Sequence, residues 1–275
     1  MIRLHLACDM PARPSQSLPT SPFGAPHQWR TDIIVRPISS IEVERILADH
    51  RRYLETGRKE GARANFSSAD LCRMRFASMK LRRARFDHAR LAGSDFTRAD
   101  LSKANLIGAD LRGASMAGAD LTEARLSGAN LSCASLEGAD LPGADIEFAL
   151  LPKALLVRAC LRRADLSGVV LSEANLSDAD VQRANLRGAD LHKARMDGAD
   201  LREARLGGAF LGKASLRGAD LRGAYLRVAR LDGTDLSGAD LRGVEGLAQA
   251  QIDAAVCDQQ TKLPEGFHSR AHDGG

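Results

Sequence analysis

Residues 119–141 read ADLTEARLSGANLSCASLEGADL: Leu returns at every fifth position (121, 126, 131, 136 and 141), with Ala two residues before each. A period of five excludes the two common elements. On an α-helix, at about 3.6 residues per turn, such leucines spread around the whole cylinder and leave no buried stripe. On a flat strand five is an odd number, so successive leucines fall on opposite faces. A chain that turns a corner once every five residues buries all of them. Each short extended piece then points one Leu inward, and Gly, Asp, Asn and Ser ease the corner. Ala sits where the bend brings the backbone close to the axis. Coils stacked like neighbouring strands, about 4.8 Å apart, satisfy one another's backbone groups. The expectation is an all-β solenoid.

Working outward, the pattern holds from about Ala64 to Gly243, with centres from Phe66 to Leu241 and 36 repeats without a register slip. The centres are Leu in 28 cases, and the position two before is Ala in 31, so the array reads as one uninterrupted element. The expected core includes Phe66, Phe76, Phe86, Phe96, Leu121, Leu141, Leu161 and Leu201. The motif A(D/N)LXX, as in ADLRG, ADLTE and ANLSC, resembles the signature of the pentapeptide-repeat family over about two thirds of the chain. Resemblance implies a right-handed quadrilateral β-helix with four pentapeptides per coil. That makes about nine coils and a rod on the order of 43 Å long at the interstrand spacing.

The flanks differ in character. Residues 1–37 hold six of the nine Pro and read as a disordered leader, because such a composition cannot bury enough surface to offset its ordering entropy. Residues 38–61 read as an amphipathic capping helix and turn. Ser39 and Glu42 form a capping-box pattern, Ile38 and Val43 a hydrophobic staple, and Gly57 a stop. Ile46, Leu47, His50, Tyr53 and Leu54 share one stripe, expected to lie on the first turn of the array. Residues 62–245 form the β-helix, and 246–275 a C-terminal cap and flexible tail with a short helix near 247–257. The segments HRRYLETGRKEGARANFSSADL and GLAQAQIDAAVCDQQTKLPEGF are similar to a leader and a C-terminal cap of bacterial family members. The latter implies either a cover for the last coil or an end-to-end homodimer contact.

Composition narrows the function. Aromatic residues are scarce, at one Trp, two Tyr and eight Phe, which suits thin repetitive packing. Five scattered Cys without a CxxC pair read as reduced thiols in a cytoplasmic protein, with neither a disulfide framework nor a zinc site. No apolar run is long enough to span a bilayer, so no membrane partner is expected. The formal charge is only +4, and the basic run at residues 63–90 has its three Phe at expected core positions with no outward aromatics for base stacking, so nucleic acid is not an expected partner. No GxSxG, HExxH, P-loop or GxGxxG motif occurs, and no cofactor, metal or enzymatic activity is expected.

With four repeats per coil, residues 20 apart stack in columns. Asp100, Asp120, Asp140, Asp180, Asp200, Asp220 and Asp240 share one column, read as residues bonding corner amides. A second feature is apolar. Phe148 and Leu150 flank one corner, and Val170, Phe210 and Val228 fall on it in later coils, a candidate partner surface. The alternative is local packing over the corner. The expected function is a non-enzymatic protein-protein interaction module or scaffold with a protein partner of unknown identity. A DNA-mimicking binder or protector of DNA gyrase, as the resemblance implies for some members, is the alternative. Mimicry needs an acidic surface, and only residues 91–147 are markedly acidic, nine acidic against four basic. A structural spacer without a specific ligand is the third.

Overall fold

The structure is a computed structural model that describes residues 35–269. Most of the disordered leader expected from the sequence, residues 1–34, lies outside them. Its backbone unit is one pentapeptide, and Ala119–Ala124 shows the local logic. Leu121 points inward, and the Ala124 N–H donates to the Leu121 carbonyl at 2.9 Å, closing a tight turn over Thr122 and Glu123. Glu123 has φ of 53°. Positive φ at the third residue of a four-residue turn is the type II pattern.

Between turns a single residue per pentapeptide pairs in parallel with the residue 20 positions on, as in Asp100 with Asp120 and Asp120 with Asp140. Each pairing carries two bonds: Leu121 N–H donates to the Asp140 carbonyl at 2.6 Å, and Asp140 N–H to the Ala119 carbonyl at 2.9 Å. The register of 20 means four pentapeptides per coil, and coils stack into a β-solenoid whose sides each hold one pairing residue.

The interior is a column of leucines and alanines. Leu121, Leu141, Leu161 and Leu201 are at most 1 % exposed, as are the alanines two before them. Each buried Leu contributes roughly 1.5–3 kcal/mol gross. In the first two coils four Phe replace Leu. Phe66 stacks on Phe86 at 5.2 Å and Phe76 on Phe96 at 4.9 Å, giving two ring stacks that meet edge to face across the lumen. Where Ala is replaced by a polar residue, the hydroxyl is satisfied by backbone: Ser94 Oγ donates to the Leu91 carbonyl and Thr234 Oγ1 to the Leu211 carbonyl.

The helix α1, Ser40–Glu55, precedes the array. Ser39 Oγ accepts the Glu42 N–H at 3.2 Å, but the Glu42 carboxylate pairs with Arg36 instead of returning to the cap. The reciprocal half of the expected capping box is therefore replaced by an ion pair. Arg36 also pairs in parallel with Ala69, so the expected leader gives way to ordered chain before residue 37. Val43 is buried, and Ile38, Ile46 and Leu47 pack against the core. His50 is 1 % exposed; its Nδ1 accepts the Ala64 N–H at 3.0 Å and its ring stacks on Tyr53.

At the other end α2, Gln249–Ala254, is inserted after Glu245 has paired with Tyr225. Gln251 Nε2 donates to the carbonyls of Leu226 and Ala229; the first already closes its turn with the Ala229 N–H, and the second is the group that a further coil would otherwise pair. The chain then resumes the ladder: Val256 pairs with Asp235 and Lys262 with Asp240. Thr261 Oγ1 donates to the Leu236 carbonyl, and Asp258 accepts the Gly238 N–H. Residues 255–262 thus form a partial coil where the sequence predicts the end of a helix near 247–257 followed by a flexible tail. Their spacing departs from five, which hides them from a period search.

Candidate partner-binding face

The third residue of every turn has positive φ. Gly takes that position in 16 of 36 repeats, and elsewhere ordinary residues accept φ between 53° and 64°. Glycine is permissive there for a second reason. A Cβ on Gly168 would lie 2.6 Å from the Phe148 ring, and one on Gly108 2.6 Å from the His88 ring. A bulky turn residue thus lies down over the next coil, and Gly in that coil makes room.

Phe148 and Val228 both occupy this turn position, each with φ of 53°, and they are 65 % and 73 % exposed. For a β-branched residue such a φ is a strained outlier. Leu150, Val170 and Phe210 are half-buried and sit on the flat side next to that turn, in one pairing column: Asn130, Leu150, Val170, Asp190, Phe210, Arg230. The arrangement is therefore one side of the rod together with its leading turn, rather than the single corner expected from spacing. Leu150 and Val170 are direct ladder neighbours, and Arg230 lies over the Phe210 ring at 5.9 Å to the centroid. The same side carries Glu147 and Arg227 along its leading turn and Glu173 and Lys213 along its trailing turn. Glu147 accepts a bond from Ser167 Oγ, and Glu173 pairs with Lys153. Of the other outward apolar residues, Ile107 lies on the same leading turn two coils before Glu147 and Tyr225 packs over Gly207 of that turn, while Leu155 is exposed in another column.

The aspartate column stands on a different side. Asp120 accepts the Thr122 N–H at 2.9 Å and Asp220 the Arg222 N–H at 3.1 Å, bonds from the turn that follows each Asp. From Cys160 onward the column is interleaved with arginine: Arg162 pairs with Asp180, Arg202 with Asp200 and Asp220, Arg222 with Asp220, Arg242 with Asp240. The bond from Arg242 holds the Asp240 carboxyl down at about 2, and that from Arg222 lowers Asp220. Among the described residues no group of His, Cys, Asp and Glu has the arrangement of a metal site, and no helix is long and apolar enough to cross a membrane.

Sequence reasoning grouped the five apolar residues but missed the strain. Positive φ at Val228 follows from the two-after-centre position, where Gly recurs, so that frequency was the available clue.

A four-sided coil of pentapeptides, one ladder residue per side, defines a repeat class, and comparison places the chain within it. The family model described as pentapeptide repeats matches residues 62–168 and 170–244, and the chain belongs to that family, whose fold is a right-handed quadrilateral β-helix. No curated protein matches it. Among solved structures it is similar to HetL, a pentapeptide repeat protein involved in heterocyst differentiation regulation from the cyanobacterium Nostoc sp. Strain PCC 7120. Identity there is 30 %, over 84 % of this chain and 100 % of that one, with a TM-score of 0.37. It is also similar to QnrB1, a plasmid-mediated fluoroquinolone resistance protein, at 21 % identity over 69 % of this chain and 94 % of that one, with a TM-score of 0.43. The family assignment rests on the repeat match and not on these superpositions.

Proposed function

We propose that this pentapeptide-repeat protein is a non-enzymatic, cytoplasmic interaction module. In this reading about nine coils, capped by α1 at one end and by α2 with its partial coil at the other, hold one apolar side rigid for a protein partner. The observation that carries the proposal is Val228. A β-branched residue held at φ of 53° with 73 % of its surface exposed costs folding energy and leaves most of its apolar surface to solvent, in a position that glycine fills without strain elsewhere in the array. Phe148 shares the positive φ and the exposure 80 residues earlier on the same side, with its ring resting over Gly168. Large apolar side chains kept exposed on one side, at turn positions that glycine fills elsewhere, support a binding surface over a bare spacer. The arginines interleaved with the aspartate column neutralise the charge that mimicry of duplex DNA would need.

The test is capture from native lysate with the wild-type chain and with Phe148→Ser, Leu150→Ser, Phe210→Ser combined, after checking that both melt alike. Loss of a bound protein with the variant supports the module. Identical captures from both would move the spacer reading to the front.

A further inference from the structure

The proposal above leaves the partner open, and the distribution of residues along the side names one. Gly188 and Asp190 mark a level about which the side is nearly palindromic. Forty residues, or two coils, before Gly188 stands Phe148, and forty after it stands Val228. Twenty residues before Asp190 stands Val170, and twenty after it Phe210. The charges obey the same rule with opposite sign. Glu147 and Arg227 lie forty residues either side of Arg187, and Glu173 and Lys213 twenty either side of Lys193.

We propose that this side binds a second copy of the chain, antiparallel, across a two-fold axis at the level of Gly188 and Asp190. This rests on the reading of the apolar side as a binding surface and specifies its occupant. A two-fold axis perpendicular to the rod, lying between two facing sides, reverses coil order and keeps each column opposite itself. Phe148 then meets Val228 of the partner copy, and Val170 meets Phe210. Glu147 meets Arg227, and Glu173 meets Lys213. Leu150 meets Arg230, whose guanidinium already lies over an aromatic ring. A parallel pairing, about an axis along the rod, would instead set each leading turn against the trailing turn of the same coil, Arg187 near Lys193, and only the ladder column against itself, Asp190 on Asp190 and Arg230 on Arg230. Arg227 and Lys213 have no ion pair among the described residues, so both are available. At the axis Asp190, Arg187 and Lys193 each face their own copy, so the middle of the contact brings acidic and basic side chains of both copies to one level and the attraction comes from the pairs on either side.

The contact spans five coils, from the one containing Phe148 to the one containing Val228, or about 24 Å at the interstrand spacing. One side of so thin a rod buries less than the roughly 800 Å² per partner of a standard interface, so the dimer is weak and dependent on concentration. Self-complementarity of one patch is the defining property of a two-fold interface.

The test uses sedimentation velocity on the full chain, with Glu147→Arg and Arg227→Glu made separately. Each change sets like charges together twice per dimer, and each variant should dimerise about tenfold more weakly than the parent. Mixing the two variants should restore association, because the mixed pair again sets acid against base at both contacts. Singles that dimerise as well as the parent, or a mixture no tighter than either single, would overturn the arrangement. A parent chain that stays monomeric through the concentration range would also overturn it. That result leaves the lysate experiment untouched, so failure of self-pairing is distinguishable from failure of the apolar side as a binding surface.

Discussion

A single turn position separates cost from purpose in this chain. Val228→Gly removes a strained φ and should stabilise the fold by about 1 kcal/mol, read as a higher melting temperature. Gly168→Ala should do the reverse. Its φ is 63°, and its new Cβ would strike the Phe148 ring, for a loss of about 2 kcal/mol. Repeating Gly168→Ala on a Phe148→Ser background should recover part of that loss; an unchanged loss would mean that the ring does not rest on the glycine. Within the ladder, neighbours respond oppositely. Leu141→Asp places a carboxylate in the lumen and should abolish local protease resistance. Asp140→Ser should leave melting nearly unchanged, because Pro142 has no N–H to give the Asp140 carboxylate the turn bond that Asp120 receives.

The terminal elements are tuned differently. Nδ1 of His50 accepts the Ala64 N–H, which requires the neutral ring, and burial, aided by the charge of Arg63, lowers its pKa. A lowered pKa in the folded state means that the unfolded chain binds the proton more readily. The junction therefore has its full stability above about pH 6.5 and loses it as pH falls below that value. Amide exchange at Ala64 and along α1, corrected for intrinsic rates, should accelerate between pH 7 and pH 5 while the middle coils do not change. A pH-independent α1 would show that the ring carries no such linkage. These ends also mark where reading the sequence ran out. The period of five carried the array and its core, since each inward side chain answers to one local rule. Arg36 and the partial coil at Val256 and Lys262 take ladder positions through hydrogen bonds to coils already built, and no periodicity announces them. The Glu42 side chain turned from its cap to Arg36 because an ion pair that only folding assembles was within reach. The binding side was half legible. Column arithmetic collected its five apolar residues, but which lie on a flat and which in a turn depended on backbone conformation.

At the scale of the whole rod, coils contact only their neighbours, so stability accumulates locally and the array tolerates changes in length. The pairing of residues 20 apart has a consequence for such changes. Deleting 20 residues in phase shortens the rod and leaves every side facing as before. Deleting only the pentapeptide at 179–183 preserves every local rule, since one Ala-x-Leu/Val unit stacks as well as another. That variant should melt close to the parent, yet it should capture partner no better than the triple Ser variant. Phe210 and Val228 would have turned a quarter revolution away from Phe148 and Leu150. Inheritance by repeat slippage is therefore quantised: losses in fours are silent, while a single lost unit dials the later coils to a new heading and can erase or create a recognition surface without touching any residue in it.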